Sequence, residues 1–207
     1  MAGQQAFANG MRALAKADSV LKGIIERIGP LKWPEAREPF PALVRFIFYQ
    51  QLAGSAAAAI MSKFLALYSS DSFPSPRAVL ETPNEMLRSV GLSRQKLSYV
   101  KDLSAKFEDG TLNADMLRTL PEDEVGAALM SVKGVGHWTA DMFLISTLHR
   151  LDVLPVGDLG LRKGVQIAYG LAEMPTPKAL LEMSEPWHPY RSVATLYFWR
   201  SIDTSPG

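Results

Sequence analysis

Two glycines flank one apolar residue in Lys133-Gly134-Val135-Gly136, between two stretches that read as helices. Glycine has no Cβ and tolerates positive φ, so both can shape a tight turn. Its amides, with those at the start of the following helix, can then face one anion together. Lys133 adds a cation beside them. The chemistry this suits is the grip of a phosphate oxygen, which fixes position without reading sequence. The plain alternative is a helix–helix turn that needs glycine only for its geometry. An acid weighs against that alternative: Asp158 lies twenty residues after Trp138, the length of one helix and a return loop.

Rigid elements must hold such residues, and the chain reads as helix after helix. Apolar residues recur at spacings of three and four, and the alternation expected of strands is almost absent. The fold class is all-α. Asp18 caps a helix over 18–27 that Gly29-Pro30 stops. Further helices are expected over 40–52, 55–68, 93–110, 122–131, 158–169, 175–183 and 189–202. Thr82-Pro83-Asn84-Glu85 has the capping-box form, with Thr82 at the N-cap and Pro83 as first helical residue. The helix over 137–150 is apolar on nearly all sides apart from Asp141, which predicts a central position.

Composition narrows the classes. At 207 residues and 47% hydrophobic, the chain can bury one core or form two small lobes. It has no cysteine, which excludes disulfides, thiolate zinc sites and a Cys-ligated iron–sulfur cluster. Three histidines make a His-based metal site improbable. Lys plus Arg is 22 against 21 Asp plus Glu, so a polyanion would have to be held by placed donors rather than bulk charge. The apolar stretches are too short to span a bilayer, and the N-terminal residues lack the pattern of a secretory signal.

The segments LMSVKGVGHWTADMFLI, LDVLPVGDLGLRKG and PWHPYRSVATLYFW, with FYQQLAGSAAA upstream, resemble the helix-hairpin-helix DNA glycosylases. The resemblance is to their 3-methyladenine, or alkylbase, branch, and it runs in the expected order from about residue 40 to 199. It implies a compact two-lobed helical bundle with a cleft between lobes of roughly 30–115 and 116–207, the N-terminal helices packing on the second. The partner would be double-stranded DNA containing damaged bases, met by a monomer inside the cell, in bacterial cytoplasm or nucleoid or a eukaryotic nucleus. The implied activity is hydrolytic excision of alkylated bases, of the 3-methyladenine and 7-methylguanine type, leaving an abasic site. The alternative is a non-catalytic helix-hairpin-helix module binding damaged or branched DNA. Within the enzymes, a preference for oxidised or deaminated bases is a further option.

The resemblance also assigns roles. Asp158 would be the catalytic carboxylate, stabilising positive charge on the deoxyribose and orienting water. It is equally placed to be the N-cap of the next helix, and the two roles are compatible. Asp152 is a rival acid that reads as structural. Strand-cutting relatives carry a lysine two positions after the second hairpin glycine. Here Trp138 stands there, and an indole cannot form a Schiff base. Trp138, Met142, Tyr190 and Trp187 are candidate walls of the base pocket. Met142 replaces an aromatic found in a relative, and the aromatics read otherwise as core. Leu52 would fill the gap left by the flipped nucleotide, with Gln51 facing the orphaned base; the other reading of Leu52 is helix-end core. Main-chain carbonyls of Met130, Val132 and Val135 would hold a structural Na+ or K+, with no cofactor for catalysis. Lys133, Arg162, Lys163 and Arg191 could follow the DNA backbone or be solvated surface charges.

Overall fold

Oxygen-bearing side chains set several of the helix starts, because a first helical turn leaves amides that a side-chain oxygen can accept. Asp18 takes the amides of Val20 and Leu21. Ser75, Ser93, Asn113 and Thr176 take those of Ala78, Lys96, Met116 and Ala179. The computed structural model describes residues 2–33, 35–68 and 72–203, and among these the regular structure is helical, with no strand. In chain order the helices are α1 (Ala2–Ala17), α2 (Ser19–Ile28), α3 (Pro39–Tyr49), α4 (Gly54–Leu65), α5 (Pro76–Glu81), α6 (Asn84–Ser89) and α7 (Arg94–Glu108). They continue as α8 (Ala114–Thr119), α9 (Glu122–Met130), α10 (His137–Ser146), α11 (Leu159–Tyr169), α12 (Pro177–Met183) and α13 (Arg191–Asp203), with a 3₁₀ turn at Glu185–Trp187. None of these helices is long and apolar enough to cross a membrane.

The chain divides into two compact units, Met1–Ala36 with Leu144–Gly207, and Arg37–Phe143. The division falls inside α10, whereas the sequence suggested a boundary near residue 115. Local bonds account for the difference. The hairpin is tied to α7, where Asp102 accepts the Lys133 amide, and to the end of α3, where Gln50 donates to the Gly134 carbonyl. Residues 116–143 therefore stay with the helices before them.

In the 37–143 unit, α7 is central: α3, α5 and α6 all pack on it. Leu43, Ile47, Phe64, Val100, Leu103 and Leu129 are fully buried there. Two lysines of α7 bind the carboxyl ends of neighbouring segments, where carbonyls lack intrahelical partners and carry partial negative charge. Lys101 Nζ donates to the carbonyls of Val79, Leu80 and Thr82, and Lys96 Nζ to those of Phe48 and Gln50. Burial lowers the pKa of both ammonium groups.

In the other unit, α1 and α2 pack on each other and on α13, and α11 packs on α13. Gly164 permits the last contact, since a Cβ there would lie 2.9 Å from the Phe198 carbonyl oxygen. Asp18 does more than cap α2. Its Oδ2 also accepts the Trp187 indole N–H at 2.9 Å and the Tyr169 hydroxyl. One carboxylate thus joins α2, the end of α11 and the 3₁₀ turn.

Three local expectations are corrected. Thr82 does not cap α6: its hydroxyl donates to the Ala78 carbonyl at the end of α5, and the cap position falls on Pro83 with no side-chain bond. The helix expected over 40–52 ends at Tyr49 because Gln51 turns left-handed, at φ 55°. The helix expected over 137–150 ends at Ser146, and His149, also at φ 55°, turns the chain away.

Asp18 yields a stability prediction with a defined pH window. Burial acts to raise its pKa, but the hydrogen bonds from Tyr169, Trp187, Leu21 and Val20 outweigh it, so the carboxyl titrates below its ordinary range. A folded value below the unfolded one gives stability that is complete above about pH 4 and is lost as pH falls through the folded value. Asp18→Ala removes the cap, strands the buried Trp187 donor and frees the half-buried Tyr169 hydroxyl, at a cost of about 2–3 kcal/mol at pH 7. Urea unfolding of both proteins should show that gap at neutral pH and its narrowing in acid.

Candidate functional site

The hairpin joins α9 to α10. Its first glycine is required by the fold. Gly134 has φ 78°, and a Cβ there would lie 2.1 Å from the Tyr99 ring. Gly136 does not use the conformational freedom of glycine: it is not among the left-handed residues, and a Cβ there would meet nothing within 4 Å. Two of the turn's amides are committed internally. That of Lys133 donates to Asp102 Oδ2 at 3.0 Å, and that of buried Val135 to the Val132 carbonyl at 3.1 Å. The backbone bond that opens α10 runs from Ala140 N to Gly136 O, and the N-terminus of a helix is the end that suits an anion. The Lys133 ammonium lies 3.6 Å from Asp102 Oδ1.

The segment Gln50-Gln51-Leu52 leaves the end of α3 beside this turn. Gln50 Nε2 donates to the Gly134 carbonyl at 2.9 Å, and Lys96 Nζ lies 2.7 Å from each of two carbonyl oxygens, those of Phe48 and Gln50. Leu52 is 40% exposed, so the reading of it as helix-end core is set aside. Gln51 is exposed as well. A hollow of about 430 Å³ opens here, lined among others by Tyr49, Gln51, Lys96, Gly134 and Trp138. Motif reasoning assigns no role to Gln50, Lys96 or Asp102. The available signal was the spacing Lys96, Tyr99, Asp102, which places all three on one face of a helix.

The aromatic candidates separate. Trp138 begins α10 and is 46% exposed, whereas Met142 and Ile145 on the same stripe are buried. Tyr190 is half-buried, its ring against Gly10, where a Cβ would come within 2.7 Å of it. Trp187 is fully buried with its indole N–H on Asp18, which corrects its candidacy as a pocket wall. It is a core residue.

Asp158 is the N-cap of α11 and is 9% exposed. Its amide donates to the Pro155 carbonyl, closing the Pro155-Val156-Gly157 turn. One oxygen, Oδ1, accepts the Leu161 amide at 2.6 Å and the Trp199 indole N–H at 2.8 Å. The sequence identified the cap but missed Trp199, which comes from α13 and orients the carboxylate from the side. Gly160 gives it room, since a Cβ there would lie 3.2 Å from Oδ1.

Asp152, the rival acid, is engaged on both oxygens. Arg191 approaches in a fork, Nε to Oδ1 at 2.8 Å and a terminal nitrogen to Oδ2 at 2.6 Å, and His188 Nδ1 is 2.6 Å from Oδ2. Burial acts to raise its pKa, and the bonds and charge of Arg191, with His188, bring it below the ordinary range. Asp152 therefore fixes the start of α13. The basic candidates are engaged too: Arg191 on Asp152, Arg162 on the Pro175 carbonyl, Lys163 on Gln166 and Lys133 on Asp102.

Residues 44–189 match the HhH-GPD superfamily of base excision DNA repair proteins. The chain is 31% identical over 192 residues to DNA-3-methyladenine glycosylase 1 of Schizosaccharomyces pombe, covering 91% of this chain and 84% of that one. The fold is similar to the S. pombe 3-methyladenine DNA glycosylase Mag1 in complex with abasic DNA, with TM-score 0.85 and 29% identity over 95% of this chain and 98% of that one. It is also similar to a DNA-3-methyladenine glycosidase from Bacillus halodurans, with TM-score 0.84 and 36% identity over 93% of this chain and 88% of that one. With its all-helical fold, its glycine hairpin and its capped aspartate, the chain belongs to the HhH-GPD superfamily of base excision DNA repair proteins, in the 3-methyladenine DNA glycosylase branch.

Proposed function

We propose that this protein is a monofunctional glycosylase that flips alkylated bases, of the 3-methyladenine and 7-methylguanine kind, out of duplex DNA and hydrolyses their N-glycosidic bonds. The observation that carries the reading is the placement of Asp158, a nearly buried carboxylate whose direction is fixed by the Leu161 amide and the Trp199 indole. As the bond to the base breaks, its electron pair leaves with the base and positive charge grows on the sugar. A carboxylate held in place stabilises that charge without having to reorganise. It can also orient or deprotonate the water that completes the reaction. An alkylated base that carries positive charge is already a good leaving group, so the protein needs little acid catalysis on the base itself.

The remaining parts supply grip and selection. The N-terminus of α10 suits a backbone phosphate, with Gly136 leaving space for its approach. The exposed face of Trp138 can stack on an extruded base and attracts a cationic one, with Met142 on the same helix a weaker candidate and Tyr190 a candidate wall by its motif position. Leu52 is an apolar wedge that offsets part of the unstacking cost, and Gln51 beside it can face the orphaned base. Trp138 occupies the position where strand-cutting relatives carry lysine, which supports water as the nucleophile. The carbonyls of Met130, Val132 and Val135 form an oxygen-only, uncharged donor set, which fits Na+ or K+. The Val132 oxygen accepts one amide and keeps a second lone pair. Such an ion would stiffen the hairpin. We read the protein as a monomer acting wherever the cell keeps its DNA.

Duplexes carrying single lesions, incubated with the protein and then cleaved with alkali, test the activity. Asp158→Asn should lower base release by about a hundred- to a thousand-fold while DNA binding persists. Binding to every lesion with release of none would instead identify a non-catalytic module, and release confined to oxidised or deaminated bases would replace the alkylation assignment. Gly136→Ala should stay folded, with at most a modest drop in its unfolding midpoint, yet bind DNA more weakly, as read by titration of a labelled duplex. Trp138→Lys should produce no strand breaks without alkali, because a Schiff base needs aligned geometry as well as an amine.

A further inference from the structure

One face of α7 holds both loops that would meet DNA. Lys96, Tyr99 and Asp102 follow each other at intervals of three, and each touches one of the two. Lys96 Nζ binds the carbonyls of Phe48 and Gln50, each at 2.7 Å, where α3 ends. The Tyr99 ring lies against Gly134, close enough that no Cβ could be accommodated there. Asp102 accepts the Lys133 amide at 3.0 Å. From the other side, Gln50 Nε2 reaches the Gly134 carbonyl at 2.9 Å.

We infer that Lys96 is the positioning residue of base extrusion: by holding the Phe48 and Gln50 carbonyls it ends α3 at Tyr49 and presents Leu52 at a fixed offset from the phosphate-gripping hairpin. This rests on the reading of Leu52 as the wedge. Carbonyls at the end of a helix carry the negative pole of its dipole, and an ammonium between two of them fixes where the chain leaves the helix axis. The residue that follows, Gln51, has φ 55°. A non-glycine residue keeps that conformation where its surroundings over-determine it, and Lys96 on one side of Gln50 with Gly134 on the other does so. Burial lowers the Lys96 pKa, in keeping with an ammonium that has exchanged water for carbonyl oxygens. Leu52 itself remains 40% exposed, so α7 places the wedge without covering it.

A loosened wedge matters most where a base pair must be opened and least where the lesion has no partner. The test compares single-turnover release of 7-methylguanine opposite cytosine with release opposite an abasic analogue, for wild type, Lys96→Met, Lys96→Arg and Leu52→Ala. The ratio of the two rates on one preparation is independent of the folded fraction, so instability alone does not move it. Lys96→Met and Leu52→Ala should both shift the ratio toward the unpaired substrate, by about tenfold or more, since misplacements of an ångström can cost a hundredfold. Lys96→Arg, which keeps the charge, should return it most of the way. A shift in Leu52→Ala without one in Lys96→Met overturns the positioning role and leaves the wedge intact. No shift in Leu52→Ala overturns the wedge reading and the inference with it.

Discussion

The 37–143 unit depends on charge matched to main-chain dipoles along one helix. On α7, two ammonium groups and one carboxylate reach out of the helix to backbone atoms of other segments. Lys101 gathers the carbonyls that end α5, Lys96 those that end α3, and Asp102 accepts an amide of the hairpin. The carbonyls that the two lysines reach are part-buried, where an unpaired carbonyl is costly. A charged hydrogen bond to a backbone atom is stronger than a neutral one. It also fixes direction, because the backbone atom cannot rotate away as a side chain can. The fully buried apolar residues beneath α7 set that it packs; the charged groups set how the emerging loops leave it.

The other unit uses aspartates for the same purpose. Asp18 takes two amides, an indole N–H and a hydroxyl, and so joins three segments. Asp152 is enclosed by the fork of Arg191 and by His188. At Asp158 the Leu161 amide and the Trp199 indole both meet Oδ1. That arrangement aims the carboxylate at the start of α11 while capping it, so the cap is compatible with the chemical role proposed for the same residue. A cap held from two directions is also a pre-oriented group, and electrostatic stabilisation of a transition state asks for pre-orientation.

What the sequence disclosed about this fold was local, and what it hid was set by neighbours distant in the chain. The caps at Asp18, Ser93 and Asp158 were legible because an oxygen before an apolar run suffices to define them. Thr82 misled for the same reason. Its pattern is that of a cap, but the hydroxyl sits within reach of the last carbonyls of α5, a helix the sequence reading had not placed. The early ends of α3 and α10 come from Gln51 and His149 in left-handed backbone, which non-glycine residues adopt under tertiary constraint. In the site, Asp158, Trp138 and the exposed Leu52 were readable as motif positions. Trp199 and Lys96 were not, because an indole or an ammonium on a helix has no local mark of the segment it will meet. Trp187 failed in the opposite sense: its motif position resembles a pocket wall, yet the half-buried carboxylate that caps α2 accepts its N–H in the core.

The two hairpin glycines show how structure divides what the motif presents as equal. At Gly134 the protein itself accounts for glycine twice over, by left-handed φ and by the Tyr99 ring that a Cβ would enter. At Gly136 neither reason applies, since the backbone conformation suits any residue and the space beyond it is open. A glycine that folding does not require has lower helix-start preference than serine or aspartate at the mouth of α10, so its presence there has a small cost to stability. An anion is what a helix N-terminus attracts, and a glycine without a Cβ leaves the backbone there open to close approach. Gly134 therefore belongs to the scaffold that makes the turn, whereas the reason for Gly136 is consistent with the phosphate grip proposed above.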